Sequence, residues 1–362
     1  MKPEKEFTMT DRRAFLKAAS GTAGAIFLSP FARSLAQTAR REVHIGSRRA
    51  TTVDIHAHCV FPEVADILRE TDFADVGFAA WQALGPDRLE VMNERGIDYQ
   101  ALSINRYWWY GADRDLAAEI VRVHDEGLTA WVGEHPDRFV ALTSPALQFP
   151  DLAAEQLEYA VNELGHRGAS VGGSCNGENL SDPRFDPFWA KAEELGAPVF
   201  MHPSNAANLI REGAFDGRGD LGNIIGNPLE TAHFLARLMF DGTLDKFPGL
   251  KVVGAHGGGY LPSYLMRFEV ACEVRANAEC LSTRAPSEYL RDQILVDSMV
   301  FSHEGLRHLA AEVGTSQIVY GTDAPFNWPD TLDLILEASY LSDEEKIAIV
   351  GGNLMELLRI EA

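Results

Sequence analysis

From residue 52 onward, short runs of β-branched and apolar residues alternate with longer stretches whose apolar positions recur every three or four residues. Residues 52–56, 99–104, 139–143, 169–172, 199–202, 251–255, 294–297 and 318–321 read as strands. Residues 115–134, 151–164, 187–195, 229–244, 261–278 and 303–313 read as helices with one buried face. Pro136, Gly165 and Gly196 stand where helix ends need them. A terminal stretch, 343–361, reads as two short helices closing the fold. Strand–helix alternation on this scale predicts an α/β chain folded as a (β/α)₈ TIM barrel. The rival, a doubly wound open sheet, usually carries a phosphate loop after its first strand. Here His56-Ala57-His58 occupies that place. The longest non-periodic stretch, 204–228, follows the fifth strand and belongs at the functional mouth.

The first forty residues follow a different pattern. Arg12 and Arg13, followed by Phe15-Leu16-Lys17, precede a weakly apolar run that ends at Ser34-Leu35-Ala36. A charged segment, a short apolar segment and a small-x-small site make an export signal, and the arginine pair resembles the twin-arginine type. Residues 1–36 are therefore expected to be a signal read by the twin-arginine export machinery. Residues 37–50 are expected to be a tether and 51–362 the barrel, placing the mature protein in the periplasm or beyond the cytoplasm. Of the four cysteines, Cys272 and Cys280 fall in one expected helix. An eight-residue helical separation is about 12 Å, beyond disulfide reach, so free buried thiols are expected. Cys59 and Cys175 pair only if the fold brings them together.

Composition narrows the class. Of 362 residues, 46% are apolar and 23% charged, which supports a large core and excludes wholesale disorder. The formal charge of −21 repels phosphate backbones and anionic lipid, arguing against nucleic-acid or membrane partners. No apolar run is long enough to span a bilayer.

The informative residues lie at strand ends. A period of two aims His56 and His58 at the same side of the first strand. His202-Pro203 ends the fifth strand, His256-Gly257-Gly258-Gly259 the sixth, and Gly321-Thr322-Asp323 the eighth. In a barrel these ends meet on one face, gathering three to four imidazoles and one carboxylate. Such nitrogen and oxygen donors suit one divalent ion, Zn²⁺ first and Mn²⁺ second. His124, His233 and His308 lie in expected helices and read as structural. Cys59 alternates away from the site.

These motifs carry a resemblance. Asp54-Ile55-His56-Ala57-His58, residues 92–103, His202-Pro203, residues 246–252, residues 255–259 and residues 321–326 resemble the amidohydrolase superfamily, in the branch typified by aminocarboxymuconate semialdehyde decarboxylase. The likeness covers roughly residues 52–360. It implies a single metal ion held by His56, His58, His202 and Asp323, with His256 beside it as acid or base and Asp323 also catalytic. No metal-bridging lysine stands at the fourth strand, consistent with one ion. The resemblance further implies a homodimer in which an arginine of the helix after the sixth strand reaches the partner's substrate. Arg275 has the spacing, with Arg267 before it. Residues 66–86 depart from the branch pattern, because the decarboxylase's other carboxylate-binding arginine has no obvious counterpart there. Trp108, with Trp109, stands just past the second strand as an aromatic wall for a ring substrate or as plain packing. The implied activity is non-oxidative decarboxylation of an aromatic or enoic acid, a small-molecule carboxylic acid being the substrate. Hydrolysis of a lactone, ester or amide at the same site is the alternative, and an exported binding protein without chemistry is a third reading.

Overall fold

The computed structural model describes residues 39–74, 79–104 and 108–361; the expected signal, residues 1–36, lies outside them. A small antiparallel hairpin comes first, β1 (His44–Ile45) and β2 (Arg48–Arg49). Eight strands follow: β3 (Val53–His58), β4 (Tyr99–Ser103), β5 (Phe139–Thr143), β6 (Gly168–Val171), β7 (Val199–Met201), β8 (Val252–Gly254), β9 (Ile294–Asp297) and β10 (Ile318–Val319). Each lies parallel to the next in chain order. Ile55 N donates to Tyr320 O at 3.1 Å and His58 N to Ala324 O at 2.6 Å, which joins the last strand to the first. The result is the (β/α)₈ barrel that the alternation predicts.

Two apolar layers hold it. Val53, Ile55, Phe200, Val253 and Val319 fill the interior together with Leu354 and Leu358, which the C-terminal helix inserts as a plug. The outer layer packs alternate strand residues, such as Ala57, Ala141, Val199 and Val296, against the surrounding helices. At Gly351 the plug runs so close to the strand layer that a Cβ would meet Thr51 O at 2.0 Å, so only glycine fits.

The pairing of β3 with β4 slips by one residue between Asp54 and Ala57. This bulge changes the phase of the strand. Val53 and Ile55 belong to the interior layer, whereas Ala57 and Cys59 belong to the outer one. His56 and His58 therefore face the axis together, directly above Ile55. A strict alternation from Val53 would have turned both imidazoles outward.

Two sequence expectations are corrected. Residues 39–50 are not a tether. Val43, Ile45 and Ala50 are buried in the outer core, and Arg40 and Arg49 both pair with the buried Asp98. Val43 and Ile45 alternate over too few residues to predict a strand from pattern alone. The second correction concerns the helix expected over 261–278, which stops at Val274. Arg275 is extended, a single 3₁₀ turn follows, and Glu279 takes a left-handed conformation (φ 49°). The chain thus doubles back, bringing the Cα atoms of Cys272 and Cys280 to 5.9 Å in a disulfide. The 12 Å separation held only for an unbroken helix. Cys59 and Cys175 remain free and buried.

Leu358 is fully buried in the plug. Leu358→Ala should cost about 2–5 kcal/mol, read as a lowered urea midpoint at unchanged slope; a wild-type midpoint would show the plug is dispensable.

Candidate metal centre

The barrel brings the expected strand ends to one point. Single donor atoms of His56, His58, His202 and Asp323 all lie within 4.8 Å of one another, and all four residues are buried. Asp323 Oδ1 is 3.1 Å from His56 Nε2 and 2.7 Å from His58 Nε2. Those three atoms are buried yet make no hydrogen bond. Burying polar atoms without partners costs free energy, and their common focus is explained by a cation. Three imidazoles and one carboxylate form a donor set that fits a divalent ion. His256 stands beside this group, with Nε2 3.9 Å from Asp323 Oδ2 and its ring centroid 5.1 Å from that of His56.

Two further carboxylates orient the donors. Asp297, at the end of β9, accepts from His56 Nδ1 at 2.7 Å. That bond leaves Nε2 as the atom turned to the ion. Asp297 also accepts from the backbone N–H of His256 (2.9 Å) and Gly257 (2.8 Å). Those amides converge because His256 (φ 55°, ψ 48°) and Gly257 (φ 64°, ψ 23°) are both left-handed, forming an anion-binding nest. Such a conformation at histidine costs about 1–3 kcal/mol and is held by its surroundings. Asp54 accepts from His56 N, Gln100 Nε2 and both N and Oγ1 of Thr322. It ties β3, β4 and the segment carrying Asp323 into one network. Arg88 completes it, donating from Nη2 to His58 O at 2.7 Å and from Nη1 to Gln100 Oε1.

Sequence reading missed Asp297, Asp54 and Arg88. Asp297 left a signal, an acid at the end of the seventh expected strand. Asp54 was visible only as part of the motif Asp54–His58, without a role, because Gln100 and Thr322 reach it from 46 and 268 residues away, and Arg88 left no signal.

Protonation follows from burial and these partners. Burial pulls His58 down to about 4 and His202 well below its ordinary value, so both stay neutral and able to donate lone pairs. At His56 burial acts in the same direction, but Asp323 and Asp297 outweigh it together and raise the group to about 10. Burial opposes ionisation of Asp323 too, yet the histidines around it hold it well below the carboxylate range.

Residues 53–360 match the amidohydrolase family model. The chain belongs to the amidohydrolase family. It is 30% identical over 294 residues to the 2-amino-3-carboxymuconate-6-semialdehyde decarboxylase of Dictyostelium discoideum, covering 80% of each chain. It is also 30% identical over 287 residues to the gamma-resorcylate decarboxylase of Rhodococcus jostii, covering 76% of this chain and 87% of that one. Among solved structures, the dihydroxybenzoic acid decarboxylase of Polaromonas sp. JS666, which holds manganese and the inhibitor 2-nitroresorcinol, superimposes with a TM-score of 0.75 at 26% identity. That match covers 86% of this chain and 98% of the other.

A cavity of about 390 Å³ opens over this amidohydrolase centre, lined by His58, His202 and Asp323 and flanked by Phe326 and Trp328. Phe326 packs its ring 5.2 Å from that of His58, and Trp81 backs it at 5.0 Å. Trp108 does not line this cavity. It lies in an adjoining one of about 280 Å³ that shares only Ser204 with the first, and its ring stacks on Tyr110. Arg267, on the outer helix, and Arg275, just past its end, are exposed and do not line their own chain's cavity; Arg275 Nε reaches Asn277 Oδ1 at 3.4 Å.

Asp297→Asn should weaken divalent-metal affinity about 10–100-fold, measured by chelator competition, with circular dichroism unchanged. Full affinity would remove Asp297 from any role in orienting His56.

Proposed function

We propose that this chain is a divalent-metal-dependent carboxy-lyase that removes CO₂ without oxidation from an aromatic carboxylic acid. The observation that carries this is the focus of four buried donor residues, three of whose meeting atoms lack hydrogen-bond partners, beneath a cavity flanked by aromatic rings, in a chain 30% identical to two decarboxylases. His56, His58, His202 and Asp323 are the residues that would hold the ion. A bound divalent ion supplies Lewis acidity toward the substrate's carboxylate or a neighbouring oxygen. The Zn²⁺ expected from the donor set and the Mn²⁺ of the Polaromonas structure both suit these ligands.

When the bond to the carboxylate breaks, its electrons stay at the ring carbon and a proton must replace CO₂ there. Asp323 turns Oδ1 to the histidines and Oδ2 to His256. This pair can hold a proton beside the metal donors, with Asp323 lining the cavity, and deliver it as CO₂ leaves. Phe326 and Trp328 hold the ring and exclude water. Hydrolysis of a lactone, ester or amide could use the same donors, but the decarboxylase relatives favour the lyase. An exposed stripe of Tyr264, Met266, Val270 and Val274 on the helix Leu261–Val274 supports a homodimer, in which Arg275 would reach the partner's substrate.

Metal-loaded protein should release CO₂ from a hydroxybenzoate. His256→Ala should lower that rate at least about 100-fold with metal content retained. Ring opening of a lactone without CO₂ release from any acid would overturn the lyase reading, and parallel loss of metal would make His256 a ligand.

We further propose that the chain is exported by the twin-arginine route to the periplasm. The Arg12-Arg13 segment supports this, as does the Cys272–Cys280 disulfide, a bond that persists in oxidising compartments. Replacing both arginines by lysine should leave folded protein in the cytoplasm on fractionation; unchanged export would exclude that route.

A further inference from the structure

Two aromatic rings line the cavity over the metal centre, and each is backed by a ring from another loop. Phe326 has Trp81 behind it. Trp328 stacks on Phe301, with ring centroids 5.6 Å apart and planes inclined by 19°.

The two pairs are not equivalent. Phe326 is held three ways, because its N–H donates to Asp323 O at 2.9 Å and its ring meets those of His58 and Trp81. Trp328 has less support. Among the described residues, neither Asn327 nor Trp328 makes a backbone hydrogen bond, and Phe301 is the single ring that Trp328 meets. The next fixed point along the chain is Asp330, whose Oδ1 accepts from Tyr320 Oη at 2.7 Å and from Leu332 N at 2.8 Å.

Phe301, although 50% exposed, stands between anchored neighbours. Val300 packs against the outer core before it. After it, Ser302 caps the helix His303–Val313 by accepting from Gly305 N at 3.0 Å. Just upstream, Met299 N donates to Asp297 Oδ1 at 3.1 Å. The carboxylate that orients His56 thus also fixes the loop that carries Phe301.

An indole on an unanchored stretch has to be ordered each time a ring binds against it, which weakens binding. Stacking on a fixed ring removes that cost in advance. We propose that Phe301 is a positioning residue that presets Trp328 as the wall against which a ring-shaped ligand binds. This rests on the carboxy-lyase reading only for placing that ring in the cavity over the metal.

The test is calorimetry on the metal-loaded full chain with 2-nitrophenol, a ring that has no carboxylate to lose. Phe301→Ala should weaken binding about fivefold, with metal content and circular dichroism unchanged, whereas Phe301→Tyr should keep wild-type affinity. Because Phe301 acts through Trp328, adding Phe301→Ala to Trp328→Ala should weaken binding no further. Wild-type affinity in Phe301→Ala, an equal loss in Phe301→Tyr, losses that add in the double variant, or a wild type that does not bind the ring would each overturn the assignment. CO₂ release from a hydroxybenzoate is measured on the same preparations. Ring binding that follows Phe301 as expected, with no CO₂ released, would refute the lyase reading while upholding the positioning role.

Discussion

One carboxylate oxygen, Asp323 Oδ1, faces two imidazole nitrogens inside an apolar barrel, and none of the three atoms has a hydrogen-bond partner. Most of the surrounding structure can be understood from that arrangement. Three carboxylates, Asp54, Asp297 and Asp323, lie buried within one network around His56. Charge buried on that scale is tolerated only when it is paired or coordinated. Asp54 is met by neutral donors, and burial still lifts it to about 6. Asp323 and Asp297 together outweigh burial at His56 and hold its pKa up, at about 10. A divalent ion at the same focus offsets the charge and satisfies the orphaned lone pairs together.

Holding that focus requires a rigid frame. The interior of the barrel is apolar up to Ile55 and Phe200, and the C-terminal plug keeps it dry from beneath. The bulge in β3 marks the boundary between packing and chemistry. Below it the strand shows Val53 and Ile55 to the axis; above it, His56 and His58. Strain accompanies the change of task, with His256 and Asp323 both in left-handed backbone. Stability at one end of the barrel and reactive groups at the other is the division that this architecture favours.

The walls over the centre come from two loops. Phe326 and Trp328 arrive from the loop after the last strand, and the asparagine-rich wall from the loop after β7. Both loops are anchored by buried groups at their bases, Glu230 for one and the network of Thr322 with Asp54 for the other.

Residue pattern alone determined the eight strands, the order in which they pair and the residues at four of their ends, because periodicity and strand-end position are local properties. It also marked residues 204–228 as belonging to the mouth. Asp297 was within reach as an acid closing a strand, but nothing nearby in the chain shows that it meets His56, 241 residues away. The packing of residues 39–50 escaped notice for the same reason, since Arg49 and Asp98 meet only across the folded barrel. The helix break at Arg275 and the resulting disulfide were hidden by a run of helix-forming residues. Tertiary structure alone decided the bulge that turns His56 inward and the carboxylates that orient it. Each depends on which distant groups share a buried space, and burial is a property of the folded chain.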